Sequence, residues 1–174
     1  MKFISFNHDN SEKFGIIENN LITDLTGKID GALSLKELIK IKKIKEAKEY
    51  AKSNPGSIKP DQIEYSPLIP NPGKIICVGL NYSEHVKETN RTVEENPVIF
   101  HRFPESQTAH MQAIQRPTVS ESLDFEGEMA VVMDEGGKHI KPEDALKHIV
   151  GFSCYNESTI RAVSYTHLTL PTKA

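Results

Sequence analysis

The hydrophobic pattern changes its period within the first fifty residues. Short β-prone segments come first, and turn-forming residues at 9–11 and 19–20 separate them: KFISF, KFGIIE and LITDL. Between residues 33 and 52 the apolar positions follow a helical spacing, and Ser34 with Glu37 three residues later matches a capping box. The pattern predicts a small antiparallel meander followed by one helix.

Prolines at positions 60, 67, 70 and 72 follow that helix. Proline at this density resists both helix and central strand, and it suits an extended linker. We therefore predict a domain boundary near residue 68, with a small N-terminal domain and linker over residues 1–68. Because that domain is too small to enclose a deep pocket, the chemistry is expected in residues 69–163.

Beyond the boundary the pattern is mainly that of strands. A short helix, EHVKET, is predicted after Ser83, and Pro142 fits the first position of another helix. Apolar runs bounded by turn residues predict strands at residues 74–78, 98–103, 123–133 and 149–155. The fold class that follows is a β-rich α+β protein.

The strand at residues 123–133 carries three acids, Asp124, Glu126 and Glu128, which alternate with apolar residues. A period of two puts the three carboxylates on one face of the strand. Like charges at that spacing repel, so something must compensate them. A divalent cation would do so, with Glu157 at the end of a later strand as a further oxygen donor. Exposure to water would also do so, and the pattern leaves both open.

A second candidate for chemistry is the pair His85 and Glu88. On a helix, positions i and i+3 share a face, so the carboxylate would fix the imidazole tautomer and favour its protonated form. Such a pair is suited to activating a water as general base. An exposed histidine beside a surface glutamate is the alternative.

Composition and charge argue against a nucleic-acid-binding protein and against a membrane-spanning one. Of the 174 residues, 26% are charged and 37% hydrophobic, and the net charge of −3 gives no basis for nucleic-acid binding. No run approaches the roughly 20 apolar residues of a membrane span, and the N-terminus lacks the apolar core of a signal peptide, so a cytoplasmic protein is expected. Cys77 and Cys154 lie in apolar runs and are expected to be buried, unpaired small hydrophobes.

Four segments in this order resemble the fumarylacetoacetate hydrolase family: ICVGLNYSEHVKE, PVIFHRF, LDFEGEMAVVM and GFSCYNESTIR. The resemblance covers about residues 72–161, and the N-terminal part is similar to a small domain that many members carry. It implies a catalytic domain of rolled, mixed β-sheets. It also implies a homodimer that binds Mg²⁺, or alternatively Mn²⁺ or Ca²⁺.

The resemblance implies roles for individual residues. Glu126 and Glu128 match the two metal ligands of the family's Glu-x-Glu motif. The third ligand, most often an aspartate in the family, matches Glu157 here. The family's catalytic histidine and glutamate match His85 and Glu88.

Two arginines match basic residues that contact the substrate. Arg161 is the arginine that ends the last motif, and Arg102 stands where members often carry lysine. Arginine keeps the charge but cannot donate a proton near neutral pH, so it would clamp the substrate.

The implied activity is metal-assisted C–C bond cleavage in a small 2-oxo acid or 1,3-dicarbonyl compound, of the fumarylacetoacetate or acylpyruvate type. Isomerase, decarboxylase and hydratase reactions in the same superfamily remain open, as does a non-catalytic truncated fragment.

The family's catalytic domain continues well beyond Arg161, whereas here AVSYTHLTLPTKA follows. This tail is similar to translated adapter or frameshifted sequence, so residues 164–174 are expected not to be native. We therefore expect an incomplete catalytic domain in this chain. The full-length protein is expected to be an enzyme, and this chain alone to be inactive.

Overall fold

The computed structural model describes residues 1–82 and 96–161. The described residues form two compact units, the first from residues 1–38, 43–82 and 96–111, and the second from residues 39–42 and 112–161. The domain boundary near residue 68 stays a prediction.

The helices and strands, in chain order, are β1 (Lys2–His8), β2 (Ser11–Glu18), β3 (Leu21–Asp24), α1 (Leu35–Lys40), α2 (Ile44–Ser53), β4 (Glu64–Ser66), β5 (Ile75–Gly79), β6 (Val98–Arg102), β7 (Leu123–Asp124), β8 (Gly127–Met133), β9 (Ile149–Asn156) and β10 (Thr159–Ile160). Within the described residues, three 3₁₀ segments cover Pro60–Gln62, Pro104–Ser106 and Pro142–His148. The described part is thus rich in strands and contains few helices, which confirms the predicted fold class.

The N-terminal meander forms a four-stranded antiparallel sheet in the order β3-β2-β1-β4. Its first two hairpins close with two-residue turns at Asp9-Asn10 and Asn19-Asn20. All four turn residues have positive φ, between 51° and 61°. This is the geometry of a type I′ turn, which matches the twist of a hairpin and favours Asn and Asp. The predicted meander is therefore confirmed.

The best-buried side chains lie in the N-terminal part of the first unit. Phe14 and Ile16 of β2 are two residues apart and share one face of the sheet. Phe6 of β1 lies opposite Lys13, on the other face, so both faces of the sheet carry buried side chains. Ala47 and Ala51 are the buried residues of α2. The largest fully buried side chains are Phe6, Phe14, Ile16, Ile22, Leu25, Ile29 and Leu38.

The prediction of a single helix over residues 33–52 is wrong, because two helices, α1 and α2, occupy that stretch. Its start is as predicted: the Ser34 hydroxyl accepts the N–H of Glu37 at 3.2 Å. The first helix ends at Lys40, and Lys42 beyond it has the left-handed φ of 58° that terminates it. The N–H of Lys42 donates to the Ile39 carbonyl and that of Lys43 to the Leu38 carbonyl, the pattern of a Schellman motif.

In the first unit, β5 and β6 form an antiparallel hairpin in which Cys77 lies opposite Phe100 and Ile75 opposite Arg102. Its Ile76, Val78 and Ile99 side chains are exposed. Residues 83–95, which follow β5 in sequence, lie outside the described part of the chain.

In the second unit, β8 pairs antiparallel with β9, and the two-residue strand β7 pairs antiparallel with β10. The predicted continuous strand over residues 123–133 is therefore wrong, because Phe125 and Glu126 interrupt it. The chain changes partner there, from β10 to β9. Pro142 begins a helical segment as predicted, although the segment is 3₁₀ rather than α.

One face of the β8–β9 hairpin is both apolar and exposed. Met129 lies opposite Cys154 and Val131 opposite Phe152, and all four residues are exposed. The expected burial of Cys154 is therefore wrong, because its side chain follows the period of this outer face. Cys77 is half-buried, and neither cysteine forms a disulfide bond.

Candidate functional site

The acidic positions of the second unit lie on its less exposed side. Glu126 and Glu128 are half-buried, whereas Phe125, Gly127 and Met129 between and beyond them are exposed. The predicted alternation is therefore present. It places carboxylates where a soluble strand ordinarily carries apolar groups.

The backbone brings Glu126 and Glu157 next to each other. Glu157 donates its N–H to the Glu126 carbonyl oxygen at 2.9 Å. Glu126 in turn donates its N–H to the Asn156 side-chain oxygen at 3.0 Å. These bonds form where the chain leaves β7 and enters β8, opposite the end of β9.

Glu128 lies on β8, two residues after Glu126. It lies opposite Tyr155 on β9, and Gly127 lies opposite Asn156. The three predicted ligands therefore stem from the facing ends of β8 and β9. Antiparallel pairing produces this arrangement, since it brings the start of β8 to the end of β9.

Glu157 is the most buried of the three, with 8% of the residue exposed. A buried carboxylate is costly unless hydrogen bonds or positive charge compensate it. Among the described residues, no buried side-chain nitrogen or oxygen lacks a hydrogen-bond partner.

Arg161 joins two of the acids. Its Nε and Nη2 atoms are both 3.0 Å from Asp124 Oδ2, and its Nη1 atom is 2.7 Å from Glu126 Oε1. Its backbone N–H donates to the Ser122 carbonyl at 3.2 Å. One guanidinium thus neutralises part of the charge of both carboxylates.

Sequence reasoning set Asp124 aside and did not consider Asn156 as a functional residue. In the structure, Asn156 contacts Glu126, which is a predicted ligand. Asp124 contacts Arg161, which also contacts Glu126. Their positions gave some signal: Asp124 lies two residues before Glu126 on the same predicted face, and Asn156 directly precedes Glu157.

A hard divalent cation takes oxygen ligands, and three glutamates at adjoining strand ends are a donor set of that chemistry. Within residues 1–82 and 96–161, however, no three His, Cys, Asp or Glu side chains are gathered closely enough to hold a metal. Glu126 instead contacts Arg161. The donor set fits the cation, while binding would require the carboxylates to turn toward a common point.

Three further residues were predicted to take part in the site: His85, Glu88 and Arg102. His85 and Glu88 lie outside the described residues. Arg102 is half-buried on β6 in the first unit, whereas Arg161 follows β10 in the second.

The family model for the fumarylacetoacetate (FAA) hydrolase C-terminal domain matches residues 74–172, more than half of the chain. This chain belongs to the fumarylacetoacetate hydrolase family. The matched region includes all the residues considered above for catalysis, metal binding and substrate binding.

Among curated proteins, the chain is similar to mitochondrial oxaloacetate tautomerases. It is 39% identical over 100 residues to Fahd2a of Rattus norvegicus, covering 58% of this chain and 32% of that protein. It is 37% identical over 115 residues to fahd2 of Xenopus laevis, covering 66% of this chain and 36% of that protein. The match thus spans about a third of the length of these relatives.

Solved structures give the fold over almost the whole chain. A fumarylacetoacetate hydrolase from Exiguobacterium antarcticum superposes with a TM-score of 0.79 at 28% identity, over 97% of this chain and 60% of that one. A maleylpyruvate hydrolase from Sphingobium sp. SYK-6, in complex with manganese(II) and pyruvate, superposes with a TM-score of 0.75 at 20% identity, over 92% of this chain and 60% of that one. The chain therefore corresponds to an incomplete family fold, as predicted. None of the described helices is long and apolar enough to cross a membrane.

Proposed function

We propose that the complete protein is a divalent-cation-dependent enzyme that converts a small 2-oxo acid or 1,3-dicarbonyl compound through its enol form. The observation that carries the proposal is the meeting of Glu126 and Glu157 where β8 begins and β9 ends, with Glu128 two residues after Glu126. Family membership supports it, because the whole region lies inside the matched segment.

Glu126, Glu128 and Glu157 would hold the cation, with Mg²⁺ as the first candidate and Mn²⁺ or Ca²⁺ as alternatives. When bound, the cation would supply positive charge that stabilises negative charge developing on the carbonyl oxygens of the substrate. The manganese(II) and pyruvate in the maleylpyruvate hydrolase belong to a protein of 20% identity, which carries the fold alone. Support for a cation in this chain therefore comes from its own three glutamate carboxylates and not from that protein's manganese.

The other residues orient the substrate and move protons. His85, held in one tautomer by Glu88, takes a proton as general base. Arg102 and Arg161 bind the substrate carboxylate with paired N–H donors. These four roles derive from the family motifs.

Two reactions share this machinery, and the first is C–C bond hydrolysis. In that case His85 activates a water, a bond forms between the water oxygen and the carbonyl carbon, and the neighbouring C–C bond breaks. The electron pair of that bond leaves as an enolate, which then takes up a proton.

The second reaction is keto–enol tautomerisation. A proton leaves the carbon beside the carbonyl, the carbonyl oxygen gains a proton, and no carbon–carbon bond breaks. A specific observation favours it: four curated relatives at 36–40% identity are named oxaloacetate tautomerases. The protein would be a homodimer when complete, without a nucleic-acid or membrane partner, and the cytoplasm remains the proposed compartment.

Purified complete protein separates the two reactions. Decay of enol absorbance with oxaloacetate reports tautomerisation, and release of pyruvate from an acylpyruvate reports hydrolysis. In either case EDTA should abolish the rate enhancement, and added Mg²⁺ or Mn²⁺ should restore it. Glu126→Gln should lower kcat/KM by more than about 100-fold, because it removes a charged oxygen donor.

Glu121→Gln is the matched control, since it removes an exposed acid from the segment just before β7. It should retain wild-type activity. Activity that persists in EDTA and in Glu126→Gln would overturn the proposal.

A further inference from the structure

We propose that Asp124 is a positioning residue that keeps the Arg161 guanidinium beside Glu126 when Glu126 turns to a cation. The inference rests on the proposed function, because it assigns a device that serves the same site. Its basis is that Arg161 contacts two carboxylates, of which Glu126 alone is a predicted ligand.

Asp124 is anchored independently of Glu126. Its Oδ1 atom accepts the backbone N–H of Phe125 at 2.9 Å, which leaves Oδ2 facing the guanidinium. The residue itself is fixed by the pairing of β7 with β10, where it lies opposite Thr159. The carboxylate therefore has a defined orientation before Arg161 binds it.

Arg161 is anchored to the same pair of strands. It directly follows β10, and its backbone N–H donates to the Ser122 carbonyl, just before β7. Both partners of the Asp124–Arg161 pair thus belong to one strand pair. Glu126, by contrast, lies beyond β7, where the chain has changed to the β9 partner.

The two contacts of the guanidinium differ in kind. Two of its nitrogens, Nε and Nη2, share Asp124 Oδ2, whereas only Nη1 reaches Glu126 among the contacts described above. A guanidinium has five N–H donors in a fixed plane, so one edge can stay on Asp124 while the other changes its acceptor. The Glu126 contact is therefore the exchangeable one.

The consequence follows from competition for Glu126. A cation must displace Nη1 from the Glu126 carboxylate in order to bind there. With Asp124 present, the displaced guanidinium keeps a carboxylate partner and remains oriented. Without Asp124, the guanidinium loses the carboxylate that holds its Nε–Nη2 edge and is drawn more strongly to Glu126, so the cation has to separate a stronger pair. Removal of Asp124 should therefore weaken cation binding, although Asp124 is not itself a ligand.

The first test is titration of the complete protein with Mn²⁺, followed by the electron paramagnetic resonance signal of the free ion. Asp124→Asn should raise the Kd for Mn²⁺ by about tenfold or more, the usual size of an effect from a residue that orients a ligand. Glu121→Gln removes the same formal charge from a nearby exposed position and should change Kd by less than about twofold.

A double-mutant cycle tests whether Asp124 acts through Arg161. In an Arg161→Gln background, Asp124→Asn should have no larger effect than Glu121→Gln. The same tenfold effect in both backgrounds would overturn the inference. So would a wild-type Kd in Asp124→Asn while the wild-type protein binds Mn²⁺. Absence of Mn²⁺ binding by the wild-type protein would instead contradict the proposed cation site, and the inference would fall with it.

A spectroscopic readout separates positioning from stability. In the ¹⁵N-labelled complete protein the Arg161 Nε–H signal should persist without metal and at saturating Mg²⁺, because Asp124 retains that edge in both states. In folded Asp124→Asn, as judged by its circular dichroism, the signal should broaden or shift on addition of Mg²⁺. Loss of the wild-type signal when Mg²⁺ binds would contradict the inference.

Discussion

At the scale of single residues, the arginine that follows β10 differs most from its expected role. Family resemblance assigns Arg161 to the substrate, whereas in the structure it bridges Asp124 and Glu126. The two roles are compatible, because a guanidinium has donors for more than two acceptors. A motif gives the residue type at a position, but it does not give the partner that the side chain takes while the substrate is absent.

Glu157 allows a direct test of the proposed ligand set. It is buried, and the family most often carries aspartate at this position. Glu157→Asp should retain Mn²⁺ binding, because it keeps a carboxylate on the same backbone position. Glu157→Gln should weaken binding by more than about tenfold, since it removes the charge and keeps the size.

Free-ion titration of the complete protein measures both variants, with Glu121→Gln as control. Equal affinity of the glutamine variant and the wild type would exclude Glu157 from the site. A large loss in the aspartate variant would mean that the extra methylene of Glu157 is required for the geometry of this site.

At the scale of elements, the sequence predicted those features that depend only on residues close together in the chain. The two hairpin turns at residues 9–10 and 19–20 could be predicted, because Asn and Asp tolerate the positive φ that a type I′ turn requires. The break at Lys42 could not be predicted, since a lysine gives no signal for the left-handed conformation that Lys42 adopts just after α1. The division of residues 123–133 into β7 and β8 could not be predicted either. It arises because β7 pairs with β10 while β8 pairs with β9, and both partners are distant in sequence.

The β2–β3 hairpin contains a carboxylate whose ionisation should affect stability. Burial by itself would raise the pKa of Asp24, but hydrogen bonds from Lys13 and Thr26 and the charge of Lys13 outweigh it and lower the pKa below its ordinary value. Lys13 Nζ lies 2.6 Å from Asp24 Oδ2, and the Thr26 N–H lies 2.8 Å from Oδ1. The ionised form is therefore favoured in the folded state.

The sign of the pH dependence follows from that direction. A group whose pKa is lower in the folded state stabilises it fully above the unfolded pKa, near 3.8, and this stabilisation is lost as the pH falls through the lower folded value. Asp24→Asn should therefore reduce stability at neutral pH and flatten its fall in acid. Urea unfolding at a series of pH values measures this, with Glu12→Gln on β2 as an exposed control. A parallel pH profile for Asp24→Asn and wild type would contradict the assignment.

At the scale of the whole molecule, the hydrophobic core and the candidate chemistry lie in different parts of the sequence. Nearly all buried apolar side chains among the described residues belong to the first 51 positions; Ala109 is the exception. The carboxylates lie between residues 124 and 157, in a region with exposed apolar faces. The chain covers 60% of the Exiguobacterium antarcticum enzyme, and such faces are expected where part of a family fold is missing.

This division predicts where substitutions affect stability. Phe6→Ala should lower the free energy of unfolding of the N-terminal sheet by about 3–5 kcal/mol, because Phe6 is fully buried. Phe152→Ala should change stability by less than about 1 kcal/mol, since 59% of that residue is exposed. Urea unfolding of both variants in the 174-residue chain measures the difference. Equal losses would show that the β8–β9 hairpin is packed as tightly as the N-terminal sheet.

The fold class could be predicted from the sequence, because strand periodicity is visible in the sequence itself. The site residues could be predicted because four motifs occur in the order found in the family. Asp124 could not be assigned a function in that way. Its importance depends on the pairing of β7 with β10, which brings Arg161 within reach. Nor does the pattern of acids along one strand indicate whether their side chains converge.

The other roles proposed for this site depend on Glu126, Glu128 and Glu157 holding one divalent cation. Crystals of the complete protein soaked in MnCl₂ test this directly, through anomalous difference density collected above the manganese absorption edge. We predict one strong peak per chain with a carboxylate oxygen of each of the three glutamates at coordination distance, and with Arg161 still on Asp124. A peak coordinated by other residues, or none near these carboxylates at full Mn²⁺ occupancy elsewhere, would contradict the account.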